Sequence, residues 1–290
     1  MKIAIATCAE KSELSVGDRA LAIELANLGA QVSPLIWTNP ASLQQSWDAI
    51  LIRSVWDYHL HSQAFLKWIE QADRSAKKLF NSLQIINWNL DKSYLLELSR
   101  NGIDCVPSLF INKGTAIARV LELIRRENWD EIVVKPTISA TSYLTFKSSL
   151  LDQELSKKIE KIQQHSEVLI QAYFKSIETD GEISLIFING KAQEYSHAIL
   201  KAPRQGDFRV QSDFGGAAVS YHATEALIKF ADLALRRIAG DWTFARVDVI
   251  DWRTRPLVAE IELIEPDLFL QLEATAARKL ALAIFDKLTS

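Results

Sequence analysis

The stretch from 241 to 267, DWTFARVDVIDWRTRPLVAEIELIEPD, constrains the fold of this chain more than any other. It predicts two strands joined by a turn at 251–256, because that segment is charged and ends in proline, which a central strand does not tolerate. Side chains along a strand alternate between its two faces. The alternation sends the apolar side chains to one face: Ala245, Val247, Val249, Leu257, Ala259, Ile261 and Leu263. It sends the charged side chains to the other face: Arg246, Asp248, Glu260 and Glu262.

An antiparallel pairing that sets Asp248 opposite Glu260 also sets Arg246 opposite Glu262. In that register three carboxylates and one guanidinium share a small patch, and like charges that face each other across strands repel. A divalent cation would relieve the repulsion, and carboxylate oxygens suit Mg²⁺ or Mn²⁺. The patch therefore predicts a metal site at Asp248, Glu260 and Glu262. The alternative is an ordinary solvated hairpin face, which these residues alone do not exclude.

Composition bounds the class of protein. With 290 residues, 48% of them hydrophobic, the chain is long enough for two domains or three small lobes. A net charge of −3 gives no reason to expect nucleic acid or an anionic membrane as a partner. The two cysteines make neither a disulfide framework nor a zinc spacing. No stretch reaches the length of a membrane span, and the first apolar run is too short for a signal peptide, so we expect a cytoplasmic protein.

The chain begins as a β-α-β pattern, with strands predicted at 2–7, 31–37 and 49–53. Ser15 and Asp18 resemble a capping box that opens the intervening helix. The pattern predicts a parallel sheet, and its first loop lacks the glycines of a dinucleotide site.

Arg53 ends the third predicted strand, where open α/β sheets place their ligands. Its planar guanidinium suits a carboxylate, so we predict that Arg53 anchors a substrate carboxylate and that Trp56, Tyr58 and His59 line the same pocket. The alternative is an ion pair between Arg53 and Asp57 within the loop.

Lysines recur at the ends of predicted elements further along the chain. A helix is predicted at 62–78 and another at 91–100, with Lys92 in its first turn. The helix dipole opposes a cation there, which hints at an anionic ligand. Lys135 is the last residue of a predicted strand, directly before the loop at 137–143.

The segment 201–216 follows a hairpin predicted around the turn Asn189-Gly190. It carries Lys201, Arg204 and Arg209 among three glycines, a composition that favours a flexible clamp for an anion. A plain surface loop is the alternative.

Several short motifs now stand in a fixed order along the chain. They are Asn81, Leu90-Asp91-Lys92, Val133-Val134-Lys135-Pro136, Gln171-Ala172-Tyr173, Asp180-Gly181-Glu182, Lys201-x-Pro, Arg209-x-Gln, Arg246-Val-Asp248, and Glu260-Ile-Glu262 before Pro266. In order and spacing this set resembles the ATP-grasp ligases, in particular the prokaryotic glutathione synthetase branch. The chain looks closest to relatives that include the O-ureido-serine cyclo-ligase of cycloserine biosynthesis.

The resemblance implies an α/β (α+β) fold of ATP-grasp type. An N-terminal Rossmann-like domain at 1–85 would precede a small lid lobe at 86–172 and a C-terminal lobe with the metal site at 173–290. It also implies ATP as the energy source, Mg²⁺ or Mn²⁺ as the metal, and a homodimer or homotetramer as the assembly.

The resemblance also implies roles for particular residues. For ATP it implies two phosphate-binding lysines, a loop hydroxyl, a hinge for adenine and an acid for the ribose: Lys92, Lys135, Ser139, Gln171, Ala172, Tyr173 and Glu182. For the transferred phosphate it implies the cations Lys201, Arg209 and Arg246. For the substrate it implies Arg53, Trp56, Gln211, Gly215 and Gly216. The metal position at Glu262 is commonly asparagine in the family, and glutamate keeps the oxygen while adding charge.

The function that these residues predict is an ATP-dependent carboxylate–amine ligase acting on a small amino-acid-like substrate through an acyl-phosphate. One alternative is a kinase of the same fold that releases a stable phosphorylated product. The other is an ATP-binding protein with weak turnover. The loop at 137–143 supports this last alternative, because relatives carry glycines there and this chain has none.

Overall fold

The computed structural model describes residues 1–188, 194–211 and 214–289. Three sheets with packed helices follow one another along the sequence, so the fold belongs to the α/β class. The domain boundaries near 85 and 172 stay a prediction. Within the described ranges, no helix is long and apolar enough to cross a membrane.

The first sheet is parallel, in the order β2-β1-β3-β4. Its elements are β1 (Lys2–Thr7), α1 (Val16–Asn27), β2 (Gln31–Ile36), β3 (Trp47–Ser54), α2 (Ser62–Ser75) and β4 (Ala76–Phe80). The Ser15 hydroxyl accepts a hydrogen bond from the Asp18 amide, which confirms the predicted helix cap. The helix predicted to reach 78 ends at Ser75, because Ala76 and Lys78 pair with β3 instead.

Two short helices, α3 (Leu83–Leu90) and α4 (Tyr94–Arg100), lead out of this sheet. The prediction of one helix over 91–100 was therefore wrong at its start. Lys92 lies between the two helices and not in a helical first turn, so the argument from the helix dipole does not apply to it.

The second sheet is antiparallel, in the order β5-β8-β6-β7. Its elements are β5 (Ser108–Ile111), α5 (Ile117–Glu127), β6 (Ile132–Pro136), β7 (Phe146–Ser148), α6 (Leu155–Gln163) and β8 (Val168–Ala172). Ile132 and Val134 pack into the core that the sheet forms with α5 and α6. Because strand side chains alternate, Lys135 is directed away from this core and lines a cavity.

The third sheet is antiparallel, in the order β11-β10-β9-β12-β13. Its elements and the neighbouring helices are α7 (Ser176–Thr179), β9 (Glu182–Ile188), β10 (Tyr195–Ala202), β11 (Ala217–Tyr221), α8 (Glu225–Leu235), β12 (Phe244–Ile250), β13 (Leu257–Glu262) and α9 (Ala276–Thr289). Strands β9 and β10 pair as predicted, whereas the predicted turn Asn189-Gly190 lies outside the described residues. One face of the sheet packs against α8, and the other shares a core with α9 and the first sheet.

The pairing of β12 with β13 has the predicted register, with Asp248 opposite Glu260 and Arg246 opposite Glu262. A β-bulge follows Asp248, after which Val249 pairs with Val258. The prediction that Ala259 joins the apolar face was wrong, because the bulge inserts one residue into β13 and turns Ala259 toward the cavity. Val258 enters the core instead.

Strand β13 is the edge of its sheet, yet side chains engage its outer backbone groups. Asn89 donates to the Ile261 carbonyl and accepts from the Leu263 amide, both at 2.8 Å. The Tyr94 hydroxyl bonds both the amide and the carbonyl of Ile261 at 2.9 Å. Asn81 donates to the Leu263 carbonyl at 2.8 Å. These contacts fix the strand that carries Glu260 and Glu262, since buried backbone groups need partners.

We predict that Asn81→Ala lowers the free energy of unfolding by about 3–5 kcal/mol. The side chain is buried, donates to the carbonyls of Phe244 and Leu263, and accepts from the Thr243 amide. Its removal leaves those backbone groups without partners. Urea unfolding measures the loss, with the exposed Asn101→Ala as the matched control. Equal stability of the two variants would contradict the prediction.

Candidate active site

A cavity of about 1210 Å³ opens where the three sheets meet. It is lined by residues from three units, each consisting of one sheet with its helices and loops. Most of the predicted site residues are among them. These are Trp56, Lys92, Lys135, Ser139, Gln171, Ala172, Tyr173, Glu182, Lys201, Arg209, Gln211, Gly216, Arg246, Asp248, Glu260 and Glu262. Arg53 and Gly215 are not among the lining residues. The structure thus brings together residues more than 200 positions apart in the sequence, whereas their individual roles stay predictions.

Arg246 joins two of the predicted metal ligands. Its Nε lies 3.0 Å from Asp248 Oδ1, its Nη2 lies 2.9 Å from Asp248 Oδ2, and Nη2 also contacts Glu262. Burial favours the neutral form of Asp248, but Arg246 and then Lys201 outweigh that effect and hold the pKa of Asp248 below its usual value. Burial raises the pKa of Glu262 to about 8, and the neighbouring carboxylates add to the rise despite Arg246.

Lys201 lies between two further carboxylates. Its Nζ contacts Glu182 and lies 3.4 Å from Asp248 Oδ1, because Lys201 on β10 pairs with Glu182 on β9. The carboxylate predicted to bind the ribose is therefore already engaged by a cation of the site.

Lys92 reaches the cavity from the segment between α3 and α4. Its Nζ lies 3.1 Å from Glu260 Oε1 and donates to the Ser139 carbonyl at 2.6 Å. This contact ties the loop after β6 to the edge strand of the third sheet.

Lys135 differs from these cations. In the described parts of the chain its ammonium group has neither an ion pair nor a hydrogen bond, although Glu260, Glu182 and Asp248 act on it at longer range. Burial lowers the pKa of Lys135, because the charged form is desolvated. A cation without a partner inside a cavity suits an anionic ligand.

The predicted metal ligands do not form a preassembled cluster. No three His, Cys, Asp or Glu side chains within 1–188, 194–211 and 214–289 are grouped to hold a metal ion. Asp248, Glu260 and Glu262 each contact a lysine or arginine instead. The oxygen donors nevertheless fit Mg²⁺, which usually takes one or two carboxylates together with phosphates and water. Burial is the main cause of the raised pKa of Glu262, and the neighbouring carboxylates, whose repulsion a cation would relieve, add to it.

The predicted adenine hinge is the end of β8. The amides of Ala172 and Tyr173 donate to the carbonyls of Pro107 and Glu131, at 3.0 and 2.9 Å. Those two donors are therefore committed to the protein backbone. Apolar side chains surround this end of the cavity: Val106, Val133, Phe174, Ile177, Phe208 and Ile250.

The predicted anion clamp is only partly in place. Arg209 makes a two-pronged ion pair with Asp207, at 3.0 and 2.7 Å, and its guanidinium lies over the Phe214 ring. Gly216 has no room for a side chain, since a Cβ there would lie 2.2 Å from the Val210 carbonyl oxygen. Gln211 lines the cavity, with its side-chain carbonyl buried and without a partner among the described residues.

The prediction that Arg53 anchors a substrate was wrong, and so was its pairing with Asp57. Arg53 is buried behind the cavity wall, where its Nε lies 2.9 Å from Asp18 Oδ1 and its Nη2 donates to the Pro266 carbonyl. A strand-end arginine points either into a cleft or into the layer behind it, and the strand pattern alone does not distinguish the two. Asp18 accepts it there because the first helical turn of α1 brings its carboxylate beside β3.

The loop at 137–143 takes a conformation that its residues disfavour. Thr141 and Ser142 have φ angles of 50° and 56°, in the left-handed region that favours glycine. The Tyr143 ring lies 5.0 Å from the His59 ring, so the loop contacts the first sheet's unit.

Sequence reasoning missed a buried carboxylate of the cavity, Glu265. It lies three residues after the end of the second strand of the hairpin. Its position before Pro266 was the available signal. Period-two alternation could not find it, because Glu265 lies beyond the end of β13.

Comparison with known proteins shows what the chain is similar to. A family profile described as D-cycloserine synthetase DcsG, N-terminal domain, matches residues 3–81. The cycloserine biosynthesis protein DcsG of Streptomyces lavendulae is 29% identical over 259 residues, 83% of this chain and 84% of that protein. The crystal structure of D-cycloserine synthetase DcsG has a TM-score of 0.89 and 25% identity, covering 99% of this chain and 100% of that one.

Two further structures have the same fold. D-alanine–D-alanine ligase from Bacillus anthracis, complexed with ATP, has a TM-score of 0.67 at 17% identity, covering 100% of this chain and 97% of that one. The ATP-grasp ligase PsnB, complexed with Mg and ADP, has a TM-score of 0.65 at 12% identity, covering 99% of this chain and 98% of that one. Along nearly its whole length the chain is similar to D-cycloserine synthetase and has the fold of the ATP-grasp ligases. This likeness supports an ADP-forming ligase.

We predict that Arg53→Met lowers the free energy of unfolding by about 3–5 kcal/mol, because it leaves Asp18 buried without its cation. Paired with Asp18→Asn, the same change should cost much less than the sum of the two single changes. Denaturant unfolding of both single variants and the double variant measures this coupling. Full additivity would show that the pair is not a structural ion pair.

We also predict that the double variant Thr141→Gly, Ser142→Gly raises the free energy of unfolding by about 0.5–1 kcal/mol per residue and changes the rate of ATP turnover. Glycine adopts the positive φ angles of both positions without strain. Thr145→Gly, in the same loop but outside the positive-φ residues, should only destabilise. Unchanged stability and turnover in the double variant would show that the positive φ angles of Thr141 and Ser142 do not destabilise the protein.

Proposed function

We propose that this enzyme joins a carboxylate to an amine on a small amino-acid-like substrate, through an acyl-phosphate, with conversion of ATP to ADP and phosphate. The observation that carries the proposal is the convergence of four cations on three carboxylates in one cavity. The cations Lys92, Lys135, Lys201 and Arg246 all line it, together with Asp248, Glu260 and Glu262.

The reaction fits this arrangement of charge. A substrate carboxylate oxygen attacks the γ-phosphorus of ATP, and the bond to the oxygen that bridges the β- and γ-phosphorus breaks to release ADP. The amine nitrogen then attacks the acyl carbon, phosphate leaves, and the nitrogen loses a proton. Such transfers depend on positioning and charge neutralisation more than on a protein nucleophile.

The residues that would hold ATP lie on two sides of the cavity. Lys135 has no ion-pair partner among the described residues and is available to a phosphate, whereas the apolar side chains near Tyr173 suit the adenine ring. Asp248, Glu260 and Glu262 would hold Mg²⁺, which when bound offsets phosphate charge. The structure of D-alanine–D-alanine ligase contains ATP, and that of PsnB contains Mg and ADP. These ligands support both assignments.

The likeness to D-cycloserine synthetase favours a small substrate related to an amino acid. Small-molecule acids and amines are then the partners, with no nucleic acid and no membrane. We further place the enzyme in the cytoplasm, where ATP is abundant, as a homodimer or homotetramer of the kind that the family resemblance favours.

We predict that Glu260→Gln lowers the rate of ADP formation at least about 100-fold, because it removes a charge that faces Lys92 and one of the proposed metal ligands. The test incubates the purified protein with ATP, Mg²⁺ and pools of L- and D-amino acids and short peptides, and follows ADP and phosphate together. Glu225→Gln, an exposed position on α8, is the matched control and should match the wild type.

The outcomes separate the candidate functions. Equal amounts of ADP and phosphate that require an added acid and amine establish the ligase. ADP without free phosphate establishes the kinase. ATP binding without turnover in any pool would favour a protein that binds ATP and rarely turns it over, for which the positive-φ loop is the structural argument.

A further inference from the structure

Glu265 lies in the wall of the cavity, just beyond the edge strand that carries the proposed metal ligands. Its side chain is 8% exposed. Trp56 Nε1 donates to the Glu265 carbonyl at 3.0 Å, and Arg53 Nη2 donates to the next carbonyl, that of Pro266, at 2.9 Å. Both bonds come from the first sheet's unit, so the backbone that presents this carboxylate is fixed from two sides.

Two carboxylates that line the cavity are buried, Asp248 and Glu265. Asp248 has Arg246 and Lys201 within ion-pair distance. Across residues 1–188, 194–211 and 214–289, Glu265 has no lysine or arginine at that distance. A buried carboxylate without a cation is costly in its charged form, so it takes up a proton or binds a group that supplies the missing charge.

The nearest cations are committed elsewhere. Lys92 and Arg246 act on Glu265 only at longer range, because the first is paired with Glu260 and the second with Asp248 and Glu262. Burial, and then Glu260, raises the pKa of Glu265 to about 7 against the opposing effects of Lys92 and the Tyr58 hydroxyl. Within the part of the chain that the structure describes, the Glu265 carboxylate thus lacks a paired counter-charge.

The surroundings of Glu265 favour an organic cation. Two aromatic side chains adjoin Glu265: Trp56 donates its N–H to the Glu265 backbone carbonyl, and the Tyr58 hydroxyl donates a hydrogen bond to the carboxylate. Aromatic faces attract ammonium groups, and Lys11 lies over the Trp56 ring, 5.8 Å from its centre. An ammonium group has three donors, and a carboxylate accepts several hydrogen bonds.

We propose that Glu265 binds the ammonium group of the substrate and selects amine-bearing acids over their desamino counterparts. The inference rests on the proposed function, since it identifies one group of the substrate that the ligase acts on. It places this group beside Trp56, which comes from the loop that follows the first sheet's strand β3.

The test measures binding and not turnover. Calorimetric titrations use the full chain saturated with ADP and Mg²⁺. The probes are pools of L- and D-amino acids, D-cycloserine, and the hydroxy acids lactate and glycerate as desamino counterparts of alanine and serine. Any amine-bearing probe that binds is then titrated into Glu265→Gln, Glu265→Asp and the control Glu10→Gln, which neutralises an exposed carboxylate at the cavity rim.

We expect Glu265→Gln to weaken binding of the amine-bearing probe about 10- to 100-fold, with Glu265→Asp intermediate. ADP affinity should stay unchanged in both variants, and Glu10→Gln should bind like the wild type. Equal binding by Glu265→Gln, equal binding of desamino acids by the wild type, or no amine-dependent binding at all would each overturn the inference. Glu265-dependent binding of an amine without ATP turnover would instead reject the ligase and leave this inference standing.

Discussion

The ion pairs of Arg246 are the interaction on which the rest of this structure depends. Asp248 and Glu262 face each other diagonally across two strands, with Asp248 buried and Glu262 half-buried. Two carboxylates at that spacing would repel in a medium that screens charge poorly. The guanidinium between them makes the register of β12 and β13 compatible with a folded core. Lys201 pairs with Glu182 and Lys92 pairs with Glu260 in the same way. The cavity is therefore lined by a network of ion pairs.

The network is precise only because its edge strand is held in place. Asn81, Asn89 and Tyr94 engage the outer backbone of β13, and all three lie in the connection between the first and the second sheet. The position of the first sheet is thereby transmitted to Glu260 and Glu262. From the other side, Trp56 and Arg53 fix the segment that follows β13. The N-terminal unit therefore supports the active site even where its own side chains stay behind the cavity wall.

Local patterns predicted what depends on local chemistry. Alternation predicted that Arg246 and Asp248 share a face with Glu260 and Glu262, because a one-residue slip would have turned these charges into the core. The register within that face was an inference, since a two-residue slip keeps the same face, and the structure confirms it. The same rule failed at Ala259, because a bulge adds one residue without a sequence signal. It also could not say whether Arg53 points into the cavity or toward Asp18, which depends on how a helix 35 residues away packs. Thr141 and Ser142 were recognised as unusual for the loop, whereas their positive φ angles depend on tertiary contacts.

The covered edge of β13 has a consequence outside the active site. An open edge strand offers unpaired amides and carbonyls to any other extended chain, which is how many proteins begin to aggregate. Here the outer groups of Ile261 and Leu263 are occupied by side chains of the same molecule, and Val258 pairs with the segment at Asp104 and Val106. Strand β13, which carries two of the proposed metal ligands, is thus closed to strand addition. The contacts that align the carboxylates also keep neighbouring molecules apart in a crowded solution.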